Sequence, residues 1–142
     1  MSGQKGKKAL PEIEPTAYGD ALYKVLGNAA RGVYKLIARV EITGRENLPK
    51  NGGYIIVANH TTELDPVTVA FPAFVNGALP RFLAKDSLFR APVLGYIMRK
   101  LAHIPVVRGS VDARKSLITA RKVVEAGGAV VIFPEGTTTH DP

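Results

Sequence analysis

The sequence predicts an α/β fold in which helices flank a mostly parallel β-sheet. Segments with strand-like and helix-like patterns alternate along most of the chain, an order that favours parallel strands joined by right-handed crossovers. Two short apolar runs, 54–58 and 129–133, have the length and composition of buried strands. With 142 residues and a hydrophobic content of 46%, the chain can also bury a sizeable core.

Residues 1–16 predict a flexible basic arm, because they combine lysines with prolines and contain no sustained apolar run. No apolar core follows these lysines, so we expect no secretory signal peptide. The chain also contains no run of about 18 apolar residues, the length that a transmembrane helix needs, and we therefore expect no such helix.

Residues 17–39 predict an amphipathic helix, because their apolar side chains recur at helical spacing. Gly27 and Gly32 weaken this helix or let it bend. A basic amphipathic helix can lie on an anionic membrane surface, but its apolar stripe can equally pack on the domain's own core. The sequence leaves both readings open. The basic residues that fall largely on another face are Lys24, Arg31, Lys35 and Arg39.

Residues 40–142 predict one domain that carries the sheet. Its clearest helix is 112–126, because Asp112 can cap the first turn and Gly127-Gly128 can end the last one. The other expected helices are 92–101 and 66–75, the latter interrupted near Pro72. The expected strands are 40–43, 54–58, 81–84, 104–107 and 129–133.

His60 and Asp65 lie where the strand at 54–58 gives way to a helix, a usual place for chemistry in α/β folds. A histidine can accept and return a proton near neutral pH, and a nearby carboxylate can fix its tautomer. Five positions on a continuous helix are roughly 500° of rotation, so the pair can meet only if Asp65 begins the helix, which Pro66 favours. The simpler reading is that Asp65 only caps the helix and His60 is a polar loop residue.

Three sequence blocks follow one another at 59–65, 104–109 and 133–137: Asn-His-x4-Asp, Ile-Pro-Val-Val-Arg-Gly and Phe-Pro-Glu-Gly-Thr. Their order and spacing resemble those of the glycerolipid acyltransferases, the family of 1-acylglycerol-3-phosphate acyltransferases. Two features depart from the family pattern. Thr138 and Thr139 follow the third block where the family often has arginine, and the family's fourth, Pro-containing block is missing. We therefore expect the chain to be incomplete at its C-terminus.

The resemblance implies a role for each matching side chain. His60 would act as the general base and take the proton from a substrate hydroxyl while that oxygen attacks an acyl thioester. Asp65 would orient His60 and balance its positive charge. An arginine can hold a phosphate through two hydrogen bonds, and the third block matches family positions implicated in acceptor binding. The expected substrate-binding residues are Arg108, Glu135, Gly136 and Thr137.

Composition narrows the classes of partner and cofactor. The formal net charge of +7 favours an anionic partner, although simple solubility would also explain it. Anionic lipid headgroups or phosphorylated substrates fit better than nucleic acid, because no nucleic-acid-binding module is recognisable. The chain has no cysteine and its three histidines lack the spacing of metal ligands, so we expect no metal and no cofactor besides the thioester co-substrate. For His103 we expect a structural role.

These observations predict an O-acyltransferase of phospholipid biosynthesis. It would move a fatty acyl chain from acyl-CoA or acyl carrier protein to a lysophospholipid hydroxyl, by resemblance that of 1-acylglycerol 3-phosphate. It would associate with the cytoplasmic face of a membrane as a peripheral or monotopic protein. One alternative is an enzyme that acylates another lipid alcohol or a glycolipid. A second is a catalytically inactive module that binds lipid surfaces, and a hydrolase is a weaker third.

Overall fold

Helices and strands alternate along the part of the chain that the computed structural model describes, residues 17–62, 64–107 and 111–134. Short 3-10 helices precede the first strand and the third α-helix, at Arg45–Asn47 and Asp86–Arg90. The α-helices are α1 (Ala17–Ile37), α2 (Asp65–Val75), α3 (Pro92–Lys100) and α4 (Asp112–Glu125). The strands are β1 (Tyr54–Val57), β2 (Arg81–Lys85), β3 (Ile104–Val106) and β4 (Ala129–Ile132).

The four strands form one sheet in the order β1-β4-β2-β3, and every neighbouring pair is parallel. β1 pairs with β4 from Tyr54 opposite Ala129 to Val57 opposite Ile132. The carboxyl ends of the strands therefore lie at one edge of the sheet, and the segments that follow β1 and β4 leave that edge side by side. The predicted α/β fold with a mostly parallel sheet is confirmed.

The hydrophobic core forms where α4 packs against β3 and β4. Ile104, Ala120 and Val130 are buried at its centre. Val131, the next residue of β4, is also fully buried, as expected for a parallel strand with both faces covered. Ser116 adds a polar link, because its hydroxyl donates to the carbonyl of Pro105 at 2.6 Å and so ties α4 to β3.

A buried arginine links α1 to the sheet. Arg81, the first residue of β2, is only 5% exposed, so its guanidinium needs hydrogen-bond partners. It donates to the carbonyl of Leu101 and, at 2.6 Å, to Oδ1 of Asp20 on α1. The hydroxyl of Tyr23 donates to the carbonyl of Pro80. These bonds fix the first half of α1 against the start of β2.

The apolar residues of α1 have two kinds of surroundings. Tyr23 is buried, and Gly27 approaches Phe74 of α2 so closely that an added Cβ would lie 2.5 Å from the ring. Farther along, Leu36 is 88% exposed and Ile37 ends the helix, two residues before the predicted end. One face of α1 therefore packs on the domain, including Tyr34 against Phe71 of α2, while a membrane contact by the exposed face stays a prediction.

Three local expectations are wrong. Residues 40–43 form no strand, because no neighbouring strand of the described sheet pairs with them. Pro72 does not interrupt α2, whose flanking residues Phe71 and Ala73 are buried, so packing outweighs the lost helical hydrogen bond. The N-cap of α4 is Val111 rather than Asp112, whose carboxylate lies 3.0 Å from Nζ of Lys115.

Two further expectations concern the N-terminal arm and the absence of a membrane-spanning helix. The flexible arm at 1–16 lies outside the described residues and stays a prediction. Among the helices of the described ranges, none is both long enough and apolar enough to cross a bilayer.

Candidate active site

The turn between β1 and α2 brings His60 and Asp65 together. Nδ1 of His60 lies 3.2 Å from Oδ2 of Asp65, and each side chain is 18% exposed. Leu64 occupies the N-cap position and Pro66 lies in the first turn, so α2 begins at Asp65, as the contact requires. The geometry of a base and its orienting carboxylate is therefore present, while the catalytic role itself stays a prediction.

The carboxylate of Asp65 closes this turn instead of capping α2. Oδ2 accepts the backbone N–H groups of Thr61 and Thr62, at 2.5 and 2.7 Å. Oδ1 accepts the hydroxyl of Thr62 at 2.9 Å. Asp65 therefore does more than cap the helix, because all these contacts join it to residues of the turn that carries His60.

Hydrogen bonding keeps Asp65 ionised. The N–H of Thr62 is the main reason why the pKa of Asp65 lies well below its usual value; the Thr62 hydroxyl, the Thr61 N–H and His60 lower it further, against the opposing effect of burial. A carboxylate can only accept hydrogen bonds, so Nδ1 of His60 must be the donor in their contact. In the neutral ring the lone pair then belongs to Nε2, the nitrogen that can take a proton.

His60 also contacts the residue that follows β4. Its ring packs against Phe133, with the ring centroids 4.7 Å apart and the planes tilted by 30°. Phe133 stacks in turn on Phe82 of β2, with centroids 6.3 Å apart. Because β1 and β4 are neighbours, the first sequence block meets Phe133, the first residue of the third block, at this edge of the sheet.

A cavity of about 1050 Å³ extends from His60 along the sheet between the helices. Its wall is mainly apolar and is formed by α1, α2, α3 and the strand ends. The sequence did not predict this space, because it depends on how far the three helices stand from the sheet. Apolar wall residues include Leu26, Val67, Ala70, Phe71, Phe74, Phe82, Leu94, Ile97, Met98 and Phe133.

His103, just before β3, belongs to the wall of the same cavity and is 6% exposed. Its Nδ1 accepts the backbone N–H of Phe82 at 3.1 Å, which fits the structural role expected from the sequence. Burial, assisted by the nearby charge of Arg81, lowers the pKa of His103 to about 3, so the ring is neutral at physiological pH. Its place in the cavity wall was missed. The sequence feature that could have indicated it is a histidine within the apolar run 101–104, next to the second block.

The remaining predicted site residues, Arg108, Glu135, Gly136 and Thr137, lie outside the described residues. The nearest described positions that contribute to the cavity wall are Val106, two residues before Arg108, and Pro134, directly before Glu135. Within the described ranges, no cluster of three or more His, Cys, Asp or Glu side chains could hold a metal ion.

Comparison with known proteins identifies relatives of this chain. The sequence model of a family described as Acyltransferase matches residues 39–142. A 1-acyl-sn-glycerol-3-phosphate acyltransferase of Bacillus subtilis is 31% identical over 123 residues, which are 84% of this chain and 59% of that protein. A protein of the same name from Borreliella burgdorferi is 36% identical over 104 residues, 70% of this chain and 39% of the relative.

A solved structure shares the fold. The 1-acyl-sn-glycerophosphate (LPA) acyltransferase PlsC from Thermotoga maritima superimposes with a TM-score of 0.64 and 26% sequence identity. The match covers 87% of this chain and 48% of the PlsC chain. The present chain therefore spans about two fifths to three fifths of the length of the proteins named here.

Proposed function

Because the chain belongs to the Acyltransferase family, we propose that it carries the catalytic part of a lipid O-acyltransferase. A fatty acyl chain passes from an acyl thioester, acyl-CoA or acyl carrier protein, to a hydroxyl group of a lysophospholipid, with 1-acylglycerol 3-phosphate as the acceptor in phospholipid biosynthesis. The observation that carries this proposal is the contact between His60 and an ionised Asp65 beside a long apolar cavity.

The proton transfer follows from the tautomer of His60. Nε2 removes the proton of the acceptor hydroxyl while that oxygen attacks the thioester carbonyl carbon. The tetrahedral intermediate then collapses, the carbon–sulfur bond breaks, and the imidazolium returns the proton to the departing sulfur. Asp65, held at Nδ1, balances the positive charge that His60 carries between these steps. The chain has no cysteine and no Gly-x-Ser-x-Gly motif, so direct transfer is simpler than an acyl-enzyme.

The cavity supports a fatty acyl chain as the transferred group. Its volume of about 1050 Å³ is slightly above the range of roughly 300–1,000 Å³ that is usual for ligand cavities. Each methylene group that moves from water into such an apolar space contributes about 0.8 kcal/mol. A chain that lies along this wall places its thioester end at His60, because His60 belongs to the same wall.

Phosphate recognition rests on the second and third sequence blocks. Arg108 can hold a phosphate through two parallel hydrogen bonds, which the ammonium group of a lysine cannot do. Glu135 can accept hydrogen bonds from glycerol hydroxyls, Gly136 leaves room for backbone N–H groups to approach a phosphate, and Thr137 adds a hydroxyl.

α1 supports attachment to the membrane that contains the acceptor. Its exposed apolar side chains, among them Val33, Leu36 and Ile37, lie next to the exposed basic residues Lys35 and Arg39. Apolar and basic side chains in this arrangement bind anionic lipid surfaces. In this proposal the protein is peripheral or monotopic, on the cytoplasmic face.

The direct test follows thiol release from palmitoyl-CoA by the chain in lipid micelles. We expect release to depend on added lysophosphatidic acid and to be much slower with monoacylglycerol, which offers a hydroxyl without a phosphate. Equal rates with the two acceptors would assign the site to another lipid alcohol or a glycolipid. Release that no acceptor accelerates would contradict acyl transfer and indicate hydrolysis.

A further inference from the structure

His103 is held as a single tautomer at the cavity wall. Its Nδ1 accepts the backbone N–H of Phe82 at 3.1 Å, so this nitrogen carries a lone pair and no hydrogen. A neutral imidazole with a bare Nδ1 carries its hydrogen on Nε2. Nε2 is therefore a hydrogen-bond donor that cannot act as an acceptor.

The Nε2–H group of His103 meets no acceptor among the described residues, although the side chain is more than nine-tenths buried. The rings of Tyr23 and Phe82 stand at 64° and 63° to the His103 ring, with centroids 5.8 and 5.2 Å from it, and neither ring offers a nitrogen or oxygen acceptor. Every fully enclosed side-chain nitrogen or oxygen in the described part has a partner, so Nε2 must keep some open surface. The space available to that surface is the cavity that His103 lines.

We propose that His103 determines acyl-chain specificity, by donating a hydrogen bond from Nε2 to an oxygen substituent on the chain in the cavity. This inference rests on the proposed function, in which the cavity holds the acyl chain. An unsubstituted chain leaves the N–H facing methylene groups, whereas a hydroxyl or keto oxygen at the right depth gives it a partner.

Because His103 lies far from His60, the oxygen that it binds belongs to the hydrocarbon part of the acyl chain rather than to the thioester group. The rings of Phe133 and Phe82 lie in succession between His60 and His103. In the sheet, β2 and β4 separate β3, which follows His103, from β1, which precedes His60. An acyl chain whose carbonyl carbon lies at His60 therefore reaches His103 only after several methylene groups.

The test measures the binding of fatty acids to the intact chain by displacement of a fluorescent fatty acid. The probes are hexadecanoic acid, its isomers with one hydroxyl group at successive positions, and the matching keto acids. We expect one isomer, or two neighbouring ones, to bind about two- to tenfold more tightly than hexadecanoic acid. The keto acid at that position should bind at least as well, because Nε2–H requires only an acceptor.

Two substitutions distinguish the donor function of Nε2 from the structural hydrogen bond between Nδ1 and the N–H of Phe82. In His103→Asn the amide oxygen can still accept the N–H of Phe82, but the side chain is too short to place a donor where Nε2 lies. This variant should lose the preference and bind the oxygenated isomer no more tightly than hexadecanoic acid. In His103→Gln the longer amide can place its NH2 group near the position of Nε2, and the preference should persist. Circular dichroism checks that both variants fold.

The outcomes separate the two proposals. Equal binding of all isomers to the wild-type chain, or a preference that survives His103→Asn, would overturn the assignment of His103 while leaving acyl transfer intact. Failure of every fatty acid to bind would overturn both proposals, because the cavity would then hold no acyl chain.

Discussion

Oδ2 of Asp65 lies 3.2 Å from Nδ1 of His60 and accepts, at the same time, the backbone N–H groups of the two residues that follow the histidine. One carboxylate oxygen thus fixes both the shape of the turn and the tautomer of the ring. The same hydrogen bonds hold the pKa of Asp65 well below its usual value, so the carboxylate keeps its negative charge beside the ring of His60.

Asp65→Asn should reduce turnover far more than acceptor affinity. The amide keeps the size of the side chain, but it removes the charge that balances the imidazolium and can present an N–H to Nδ1 in place of an acceptor. We expect kcat to fall by about 10²–10⁴-fold, as for loss of general-base catalysis, with KM for the lysolipid changed much less. Steady-state thiol release, with circular dichroism as the folding control, measures both constants. A KM effect larger than the kcat effect would place Asp65 in acceptor binding instead.

Arg108→Ala should raise KM for lysophosphatidic acid, because a bidentate contact with phosphate is lost. A hydrogen bond to a charged group contributes about 1.5–3 kcal/mol, which is roughly ten- to a hundredfold in KM. Arg108→Lys keeps the charge but loses the planar guanidinium that forms two parallel hydrogen bonds, so we expect KM to recover only in part relative to Arg108→Ala. Kinetics with monoacylglycerol provide the control, since that acceptor has no phosphate. If both substitutions weaken the two acceptors equally, Arg108 does not contact phosphate.

Vesicle binding should depend on the basic residues at α1. Each lysine or arginine near an anionic surface contributes about 1 kcal/mol, and salt screens this attraction over about 8 Å at physiological ionic strength. Binding to anionic vesicles should fall with rising salt, stay weak on neutral vesicles, and fall further when four residues become glutamine. Sedimentation with vesicles measures the bound fraction. The four residues are Lys24, Arg31, Lys35 and Arg39.

A matched control changes four exposed basic residues of α4 to glutamine, which removes the same net charge from a different helix. This variant should keep most of the vesicle binding. If the two quadruple variants bind equally, the membrane contact is not at α1 and depends on net charge alone. The four control residues are Arg114, Lys115, Arg121 and Lys122.

Acid should destabilise the protein partly through His103. Its pKa is lowered to about 3 by burial and by Arg81, whereas an unfolded histidine titrates near 6.5. The unfolded chain therefore binds an extra proton between these values, and the free energy of unfolding falls by up to about 1.4 kcal/mol per pH unit as pH drops from about 6.5 towards 3. Urea unfolding at pH 7 and pH 5 measures the loss. His103→Asn should lose less stability between these pH values, and an equal loss would contradict the neutral, buried state of this ring.

The sequence was sufficient where local pattern and burial agree. The apolar runs at 54–58 and 129–133 became β1 and β4, each one residue shorter. The expectation that both are buried strands is right only for β4, because β1 lies at the edge of the sheet and exposes Ile55 and Val57. The turn from His60 to Asp65 was also predictable, since Pro66 restricts where α2 can begin. These features depend on neighbours in the chain.

Features that depend on distant contacts could not be predicted. Residues 40–43 have strand-like composition but find no strand to pair with, and Gly27, which the sequence marks as a weak point of α1, allows close packing against Phe74. The cavity and the place of His103 in its wall depend on the distances between the sheet and the helices α1, α2 and α3. The periodicity of a local sequence does not determine those distances.

The most direct test of the central claim replaces the proposed base. Thiol release from palmitoyl-CoA with lysophosphatidic acid is measured for the wild-type chain and for His60→Ala, and circular dichroism verifies the fold of both. We predict acceptor-dependent release by the wild type and a loss of at least about 10²-fold in kcat for the folded variant, because no other group is assigned to take the hydroxyl proton. Near-normal turnover by a folded His60→Ala protein would contradict it.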